Sequence, residues 1–549
     1  MNKSVSQSHS KAYIILLTLV ATLGGLLFGY DTAVINGAVG AIESNFIDPL
    51  PKNPELAAKI IMEYKILASL CFLVIGALLT SFFVKLFGKR KGSGYSLILW
   101  VLLLVVIYQR FFTLGDEISQ NIANSINGFA VSSALIGCII GASVAGYISQ
   151  NIGRKAGLML AASLFILSAL GSALPDKLNF TTMEVLSSFI LYRVIGGVGV
   201  GLASMIAPMY IAEISPAERR GNLVSWYQFA VIFGMLVVYF VNYFIAKGNP
   251  VTWVNAEGWR WMFASEIIPA SIFIGLLFTV PETPRYHVLK GKKGEAERVL
   301  QKLMGSERAG STLESIKESL RERRLPWLSF GGKLIIIGVL LSVFQQFVGI
   351  NVVLYYASKI FRSMGATTEA SLLQTVIVGA VNLTFTVIAI FTVDKLGRKP
   401  LQITGALGMA VSMITLGFLF YSKSMGLGAL VAMLVYTAAF AISWGPVVWV
   451  LLSEIFPNSI RGAMSIAVAA QWIANLTVSW TFPMLNDNAM LTEMFHNGFA
   501  YWIYGLMSLL AAFFMWKFVP ETKGRQLEDM GALWKSESNP RASSRKWAK

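Results

Sequence analysis

The sequence predicts an all-α protein that crosses a membrane many times and consists of two homologous six-helix bundles. Three observations support this prediction. Of the 549 residues, 55% are hydrophobic and only 13% are charged, whereas a soluble domain carries about 25% charged residues. Fourteen apolar runs approach or exceed the roughly 20 residues that span a bilayer. Three motifs of the first half recur, in the same order, in the second half.

The repeated motifs lie at a nearly constant distance from one another. GRK at 153–155 recurs at 397–399, AEISPAERRG at 212–221 recurs as SEIFPNSIRG at 453–462, and PETPR at 281–285 recurs as PETKG at 520–524. The offsets are 244, 241 and 239 residues. Parallel repeats of this kind are typical of transporters whose binding site lies where the two halves meet.

The repeat also predicts the domain boundaries. A long polar stretch with helical spacing of Lys, Arg and Glu separates the apolar runs into two groups, and we interpret it as short amphipathic helices at the membrane surface. We predict an N-terminal bundle, a linker, a C-terminal bundle and a polar tail at residues 1–281, 282–330, 331–521 and 522–549.

Two apolar runs, 66–87 and 95–114, have no counterpart in the repeat. Without them each half has six spans, so we predict an extra transmembrane hairpin at about 60–118, inserted after the first helix. An insert of two spans leaves the orientation of every later loop unchanged. We expect the hairpin to face lipid as an accessory, with a regulatory or partner-binding role as the alternative.

The charge of the chain predicts its orientation. Lys and Arg number 45 against 29 Asp and Glu, a net charge of +16. The basic residues occur in alternate turns, and under the positive-inside rule these turns are cytoplasmic. We therefore expect both termini in the cytoplasm of a plasma (bacterial inner) membrane, and no nucleic-acid partner.

Cysteine and histidine are too few for other classes of site. Cys71 and Cys138 both lie inside apolar runs, and the chain contains only three histidines. These counts predict neither a disulfide framework nor a His-rich metal site. We expect no cofactor.

Several motifs resemble one family, the sugar porters of the major facilitator superfamily. They are LLFGYDTAVI (26–35), YRVIGGVGVG (192–201), QQFVGINVVLYY (345–356), WGPVVWVLLSEIFP (444–457) and the repeated motifs above. The resemblance covers nearly the whole chain outside residues 57–125. It implies the major facilitator fold, alternating access, and import of a monosaccharide together with protons, with D-xylose as the expected sugar. We expect a monomer in the lipid bilayer.

Asp31 is the best candidate for proton coupling. It lies between two apolar runs of the first helix, and an ionisable residue in such a position is expensive and is usually functional. Its expected partner is Arg193, near the start of an apolar run in the same half. A change in their distance between conformations would change the proton affinity of Asp31; a permanent structural ion pair is the alternative. The resemblance implies that Asp31 binds the proton.

Amide side chains are the expected sugar ligands. Gln345, Gln346, Asn351 and Tyr355 fall in one run, and amides supply both the donors and the acceptors that a neutral polyol requires. Any single amide could instead join neighbouring helices. Further polar and aromatic candidates are Gln228, Asn382, Gln471, Phe28, Trp449 and Trp472. The resemblance assigns these positions to sugar binding.

Glycine and proline predict helix breaks beside this set. Gly349 interrupts the first run of the second half, and the pair Gly445 and Pro446 interrupts a later run. Such breaks are tolerated in membrane helices where neighbours or a cavity satisfy the freed backbone groups. We expect gates at both positions, with a simple packing kink as the alternative at Pro446.

Charged residues at matching ends of the two halves predict a cytoplasmic gate. We expect ion pairs that join the halves and break when the inside opens; charges that only set topology would explain the arginines but not the glutamates. The candidates are Arg154, Glu213, Arg220, Glu266, Arg398, Glu454 and Arg461.

Three alternatives are weaker. A facilitative hexose transporter on the same scaffold predicts a neutral residue in place of Asp31, although a proton-coupled hexose transporter stays open. A sugar sensor needs an output module, and only 25 residues follow Gly524. An enzyme or a primary pump needs a catalytic set or a P-loop, and the pattern GxxxxGK[ST] is absent from the sequence.

Overall fold

The computed structural model describes residues 2–112, 117–179, 182–216, 219–321 and 325–523, and this part of the chain contains helices and no strand. Short π- and 3-10 segments occupy Glu43–Ile47, Leu50–Lys52, Tyr108–Phe112, Val254–Gly258 and Asn458–Ala463. In chain order the α-helices are α1 (Asn2–Ile42), α2 (Pro54–Ile107), α3 (Gln120–Asn151), α4 (Arg154–Ala173), α5 (Val185–Ile214), α6 (Arg220–Ala246), α7 (Val251–Trp253), α8 (Trp259–Ala264), α9 (Ile267–Thr279), α10 (Pro284–Leu289), α11 (Lys293–Met304), α12 (Ser306–Arg321), α13 (Gly332–Phe347), α14 (Ile350–Ser363), α15 (Thr368–Leu396), α16 (Arg398–Tyr421), α17 (Leu427–Ile442), α18 (Trp444–Ile455), α19 (Met464–Asn486), α20 (Ala489–Phe495) and α21 (Phe499–Phe518).

Twelve helical stretches of the described residues are long and apolar enough to cross a membrane. One of them, Pro54–Ile107, contains both runs of the predicted hairpin. Helix α19 is not among the twelve, because Gln471, Asn475 and other polar residues lower its hydropathy. The fourteen predicted runs thus become twelve stretches, because the two hairpin runs are counted as one and α19 is not counted. The all-helical, multi-pass prediction is confirmed.

The chain forms two compact units. Unit 1 is drawn from Met1–Ile42 and Ser133–Glu322, and unit 2 from Glu43–Ser132 and Arg323–Lys549. This division differs from the repeat, because the α2 region and the beginning of α3 belong to unit 2. The reason is two contacts of Ser125: its hydroxyl shares a hydrogen bond of 2.8 Å with the Tyr64 hydroxyl, and its carbonyl accepts from Trp480 Nε1 at 3.0 Å. The domain boundaries taken from the repeat stay predictions.

Helix α2 is interrupted at Gly88, where φ is 77° and ψ is 167°. Glycine adopts this conformation without the strain that a side chain would bring, and the chain turns back on itself. Across the turn Trp100 Nε1 donates to Thr80 Oγ1 at 3.0 Å. Nearer the turn the backbones touch, since a Cβ on Gly92 would lie 2.6 Å from the Phe83 carbonyl oxygen. Two antiparallel arms are therefore present in unit 2; that each arm crosses the membrane stays a prediction.

Two breaks interrupt spans of unit 2. Gly349 separates α13 from α14 with φ of 94°, in the left-handed region, and a Cβ there would lie 2.7 Å from the Tyr504 ring. Ser443, with φ of −126° and ψ of −88°, separates α17 from α18. Gly445 and Pro446 follow in the first turn of α18, where the missing N–H of proline removes no helical hydrogen bond. Both predicted breaks are present, the second displaced to Ser443.

In unit 1 the three repeated motifs, which are far apart in the sequence, meet in one polar cluster. Arg154 Nη2 donates to Glu213 Oε1 at 2.8 Å. Thr283 Oγ1 donates to the other oxygen of Glu213 at 2.7 Å. Glu282 Oε2 accepts from the backbone N–H of Lys155 at 3.0 Å, at the first turn of α4. A carboxylate at a helix N-terminus is favoured by the free N–H groups and by the helix dipole.

Unit 2 repeats the same cluster with the second copy of each motif. Arg398 Nη2 donates to Glu454 Oε1 at 2.8 Å, and Thr522 Oγ1 donates to Glu454 Oε2. Glu521 accepts from the backbone N–H groups of Arg398 (3.1 Å) and Lys399 (2.9 Å), at the first turn of α16. The match, bond for bond, explains why the three motifs recur together.

Glu282 and Glu521, which cap α4 and α16, have pKa values that are shifted in opposite directions. Burial raises the pKa of Glu282, and the backbone N–H groups of Thr283, Lys155 and Arg154, together with the charge of Arg154, oppose this shift without cancelling it. Burial also acts to raise the pKa of Glu521, but four backbone N–H donors outweigh it and lower that pKa. Relative to a glutamate in water, the ionised form is therefore stabilised at Glu521 and destabilised at Glu282.

We predict that Glu521→Gln lowers the apparent melting temperature of the purified protein at pH 7 more than the matched change Glu282→Gln does. A carboxyl group with a lowered pKa stabilises the fold above its ordinary pKa, and this stabilisation is lost as the pH falls through the lowered value. The difference between Glu521→Gln and the parent should therefore shrink below pH 4.5, the ordinary value. Thermal unfolding in detergent at pH 7 and pH 4 measures it; equal melting temperatures of the two variants at pH 7 would contradict the prediction.

Candidate functional site

An ion pair is buried inside unit 1. Arg193 Nη1 donates to Asp31 Oδ1 at 2.7 Å, and Arg193 Nη2 donates to the Asp31 carbonyl at 2.9 Å. Both side chains are buried. The guanidinium carbon lies 5.3 Å from the centre of the Phe263 ring. The structure thus brings together the two residues that the sequence predicts as partners, one in α1 and the other in α5.

Glu266 lies in the same place, which corrects the expectation that it belongs to the charged set with Glu213. It separates α8 from α9, is fully buried, and lies within hydrogen-bonding reach of Asp31 when one of the two carboxyl groups carries a proton. The neighbouring Ser265 Oγ is 2.7 Å from the hydroxyl of Tyr30 on α1. This contact fixes the junction of α8 and α9 against α1, and so places Glu266 beside Asp31.

We name Asp31, Arg193 and Glu266 the carboxyl–guanidinium cluster. Neither oxygen of Glu266, nor Oδ2 of Asp31, has a hydrogen-bond donor among the described residues. With both carboxyl groups ionised, the cluster would hold one uncompensated negative charge in an apolar bundle, and a buried charge is expensive unless it is paired. One bound proton removes this charge and supplies the missing donor. The cluster is therefore suited to bind and release a proton.

A second set of polar side chains lies in unit 2, at the break between α13 and α14. Gln345 Nε2 donates to the carbonyls of Trp444 (2.8 Å) and Gly445 (3.2 Å). Gln346 Nε2 donates to Gln345 Oε1 at 3.3 Å, and Asn351 Nδ2 donates to Gln346 Oε1. These three buried amides, the amide cluster, join the α13–α14 break to the beginning of α18. The structure thus brings together three of the predicted sugar ligands.

The other predicted ligands are divided between the units. Phe28 and Gln228 lie half-buried in unit 1. In unit 2, Gln471 is buried and its Oε1 has no hydrogen-bond partner among the described residues. Trp449, another predicted ligand in unit 2, is half-buried. The remaining predicted ligands of this unit are buried: Tyr355, Asn382 and Trp472.

The predicted gating charges pair inside each unit. The ion pairs Arg154–Glu213 and Arg398–Glu454 belong to the polar clusters of unit 1 and unit 2, whereas the sequence analysis expected pairs that join the halves. Their helices pack together within each repeat, which explains the local pairing. Arg220 is exposed at the first residue of α6. The side chain of Arg461 lies outside the described residues.

An ionic triad in unit 2 was not predicted from the sequence. Lys359 Nζ is 3.0 Å from Glu43 Oε1 and 2.7 Å from Asp487 Oδ2. Asn124 Nδ2 donates to the Asp487 carbonyl at 2.8 Å. The sequence contains one signal for this triad, a lysine at the end of an apolar run. Its partners could not be predicted, because they come from distant segments of the chain. The triad ties the chain that follows α1 to the ends of α14 and α19.

Comparison with known proteins identifies the family. The profile of the family described as "Sugar (and other) transporter" matches residues 17–108 and 103–534. The D-xylose-proton symporter of Escherichia coli K12 is 50% identical, over 97% of this chain and 98% of that protein. The glucose facilitated diffusion protein of Zymomonas mobilis is 35% identical, over 97% of this chain and all of its own length.

Solved structures agree. The inward-open xylose transporter XylE of E. coli superposes with a TM-score of 0.75 at 50% identity, covering 95% of this chain and 100% of that one. Its partially occluded inward-open form gives 0.74, with 94% and 100% covered. A structure of the same protein, described as a major facilitator superfamily proton:xylose symporter, gives 0.71. The chain therefore has the major facilitator fold and belongs to the sugar transporter family.

Proposed function

We propose that the protein imports a monosaccharide together with a proton, and that the sugar is D-xylose. The observation that carries the proposal is the carboxyl–guanidinium cluster, whose two carboxyl groups and one guanidinium are neutral only with a proton bound. The 50% identity to a D-xylose-proton symporter supports the choice of sugar and of coupling ion. We place the protein in a bacterial inner membrane as a monomer, with the basic turns and both termini in the cytoplasm.

The proton has a defined role in this proposal. With the proton bound, Arg193 pairs with one carboxylate, and the second carboxyl group is neutral and donates to the first. When the proton leaves, Arg193 is left between two carboxylates, and its preferred position relative to α1 changes. Because Asp31 and Arg193 lie on different helices, α1 and α5, such a change alters how these helices pack. Proton binding can thus bias the conformational equilibrium of unit 1.

The sugar would bind through the amide cluster of unit 2. Amide groups donate and accept hydrogen bonds, as the hydroxyl groups of a neutral sugar require. Gln345 also holds the carbonyls at the start of α18, and Asn351 opens α14 directly after Gly349. A sugar that replaces the internal hydrogen bonds of the cluster would therefore act on both helix breaks. This links sugar binding to the α13–α14 and α17–α18 junctions.

A facilitative glucose transporter is the second candidate. The observation in its favour is the 35% identity to a glucose facilitated diffusion protein. Facilitated diffusion needs no proton site, however, and it leaves the two carboxyl groups beside Arg193 without a role.

The substitution Asp31→Asn should abolish accumulation of labelled D-xylose in proteoliposomes driven by an inward proton gradient. Exchange of xylose across the membrane should survive, because the amide cluster is unchanged. The matched control is Asp176→Asn, which removes an exposed aspartate paired with Arg260 at 2.7 Å and should leave accumulation intact. If Asp31→Asn accumulated xylose to the parent level, the proton role of Asp31 would be refuted. If the parent protein took up glucose without accumulating it, the facilitative candidate would be favoured.

Glu266→Gln should raise the apparent melting temperature at neutral pH. The change keeps the shape of the side chain and removes a buried carboxyl group that lacks a donor, so Arg193 and Asp31 become a neutral pair. Glu63→Gln is the control, since Glu63 is also a buried glutamate but has an interaction partner; this change should lower the melting temperature. A lower melting temperature for Glu266→Gln would contradict this prediction, because it would show that the Glu266 carboxyl group stabilises the fold.

Asn351→Ala should weaken D-xylose binding by roughly tenfold, which corresponds to the loss of about one buried hydrogen bond. Isothermal titration calorimetry of the purified protein measures the dissociation constant. Asn249→Ala is the control and should bind like the parent, because Asn249 is exposed and its side chain donates to the Ile245 carbonyl of its own helix end. Unchanged affinity of Asn351→Ala would remove Asn351 from the sugar site.

A further inference from the structure

Four basic side chains surround the turn of the α2 hairpin. Lys85, Lys89, Arg90 and Lys91 are all exposed, and we name them the hairpin tip. Among the described residues, no acidic side chain forms an ion pair with any of the four. The acidic residues of α2 are Glu55 and Glu63, at the opposite end of the first arm. The tip therefore carries a concentrated positive charge that the described protein does not neutralise.

Aromatic rings lie directly beside this charge. Lys85 Nζ is 5.4 Å from the centre of the Trp327 ring, and Phe82 packs on the same ring at 6.3 Å. Across the turn, Phe87 of the first arm and Tyr95 of the second meet edge to face at 5.0 Å. Tryptophan and tyrosine concentrate at the depth where lipid headgroups meet the acyl chains. The rings thus indicate the depth at which the tip lies.

The second arm of the hairpin exposes a continuous apolar surface. Leu97 is 68% exposed, and Ile98, Val101, Leu102 and Leu104 are each more than half exposed. In a multi-pass membrane protein such a surface contacts acyl chains. A phospholipid whose chains lie along this arm would have its headgroup next to the tip, because the exposed residues begin a few positions after Lys91.

We propose that the hairpin tip is a binding site for anionic phospholipid headgroups. The phosphate would accept hydrogen bonds from the lysine and arginine side chains, and the acyl chains would lie on the exposed face of the second arm. Clusters of four or more basic residues next to a membrane helix bind anionic lipids by this electrostatic attraction. A soluble phosphate ion would use the charge alone and would gain nothing from the apolar arm, so the structure favours the lipid.

Native mass spectrometry of the purified protein tests this proposal, with phosphatidylglycerol and phosphatidylethanolamine as probes. The parent should retain phosphatidylglycerol in preference to phosphatidylethanolamine. Changing all four tip residues to Gln should remove the preference, with an expected loss of about five-fold in affinity for each neutralised side chain. The charge-conserving variant, with Lys85, Lys89 and Lys91 each changed to Arg, should keep it.

The matched control neutralises four exposed basic residues of the linker helices, by changing Lys290, Lys293, Arg298 and Lys302 to Gln. This variant should bind phosphatidylglycerol like the parent. Three results would overturn the proposal: parent-like binding by the tip variant with Gln, loss of binding by the variant with Arg, or displacement of phosphatidylglycerol by millimolar inorganic phosphate. The last result would identify a site for a free anion.

Discussion

The buried contact between Arg193 and Asp31 is the interaction on which the account of this transporter depends. A guanidinium and a carboxylate inside an apolar bundle are stable only as partners, and here the arginine also holds the main chain of α1 through the Asp31 carbonyl. Glu266 adds a second carboxyl group to the same enclosed space. The cluster is then neutral in only one protonation state, and this turns a structural ion pair into a site that responds to protons.

The repeated motifs provide the frame that holds each half together. In both units an arginine at the start of a helix pairs with a glutamate at the end of another, and a second glutamate caps the first helix. Because these contacts are local to each unit, a unit can keep its internal structure while other parts of the molecule move. The helix breaks lie elsewhere, at Gly349 and Ser443, where the amide cluster lies.

Much of the fold could be predicted from the sequence, because apolar runs of bilayer length leave the backbone few alternatives to a helix. The break at Gly349 was also predictable, because there a glycine stands beside polar amides inside an apolar run. Contacts between residues in distant segments of the chain were harder to predict. The place of Glu266 depends on how α9 packs against α1, and Lys359 finds both of its partners far along the chain. Because each half carries its own copy of these similar motifs, the sequence also could not show which arginine pairs with which glutamate.

The central claim is that sugar and proton move together through this protein. The most direct measurement is the internal pH of proteoliposomes loaded with a pH-sensitive dye, with equal pH on both sides and D-xylose added outside. The account predicts that the lumen becomes acidic as xylose enters, because each sugar molecule brings a proton with it. Entry of xylose at a constant internal pH would contradict the account and would show a uniporter.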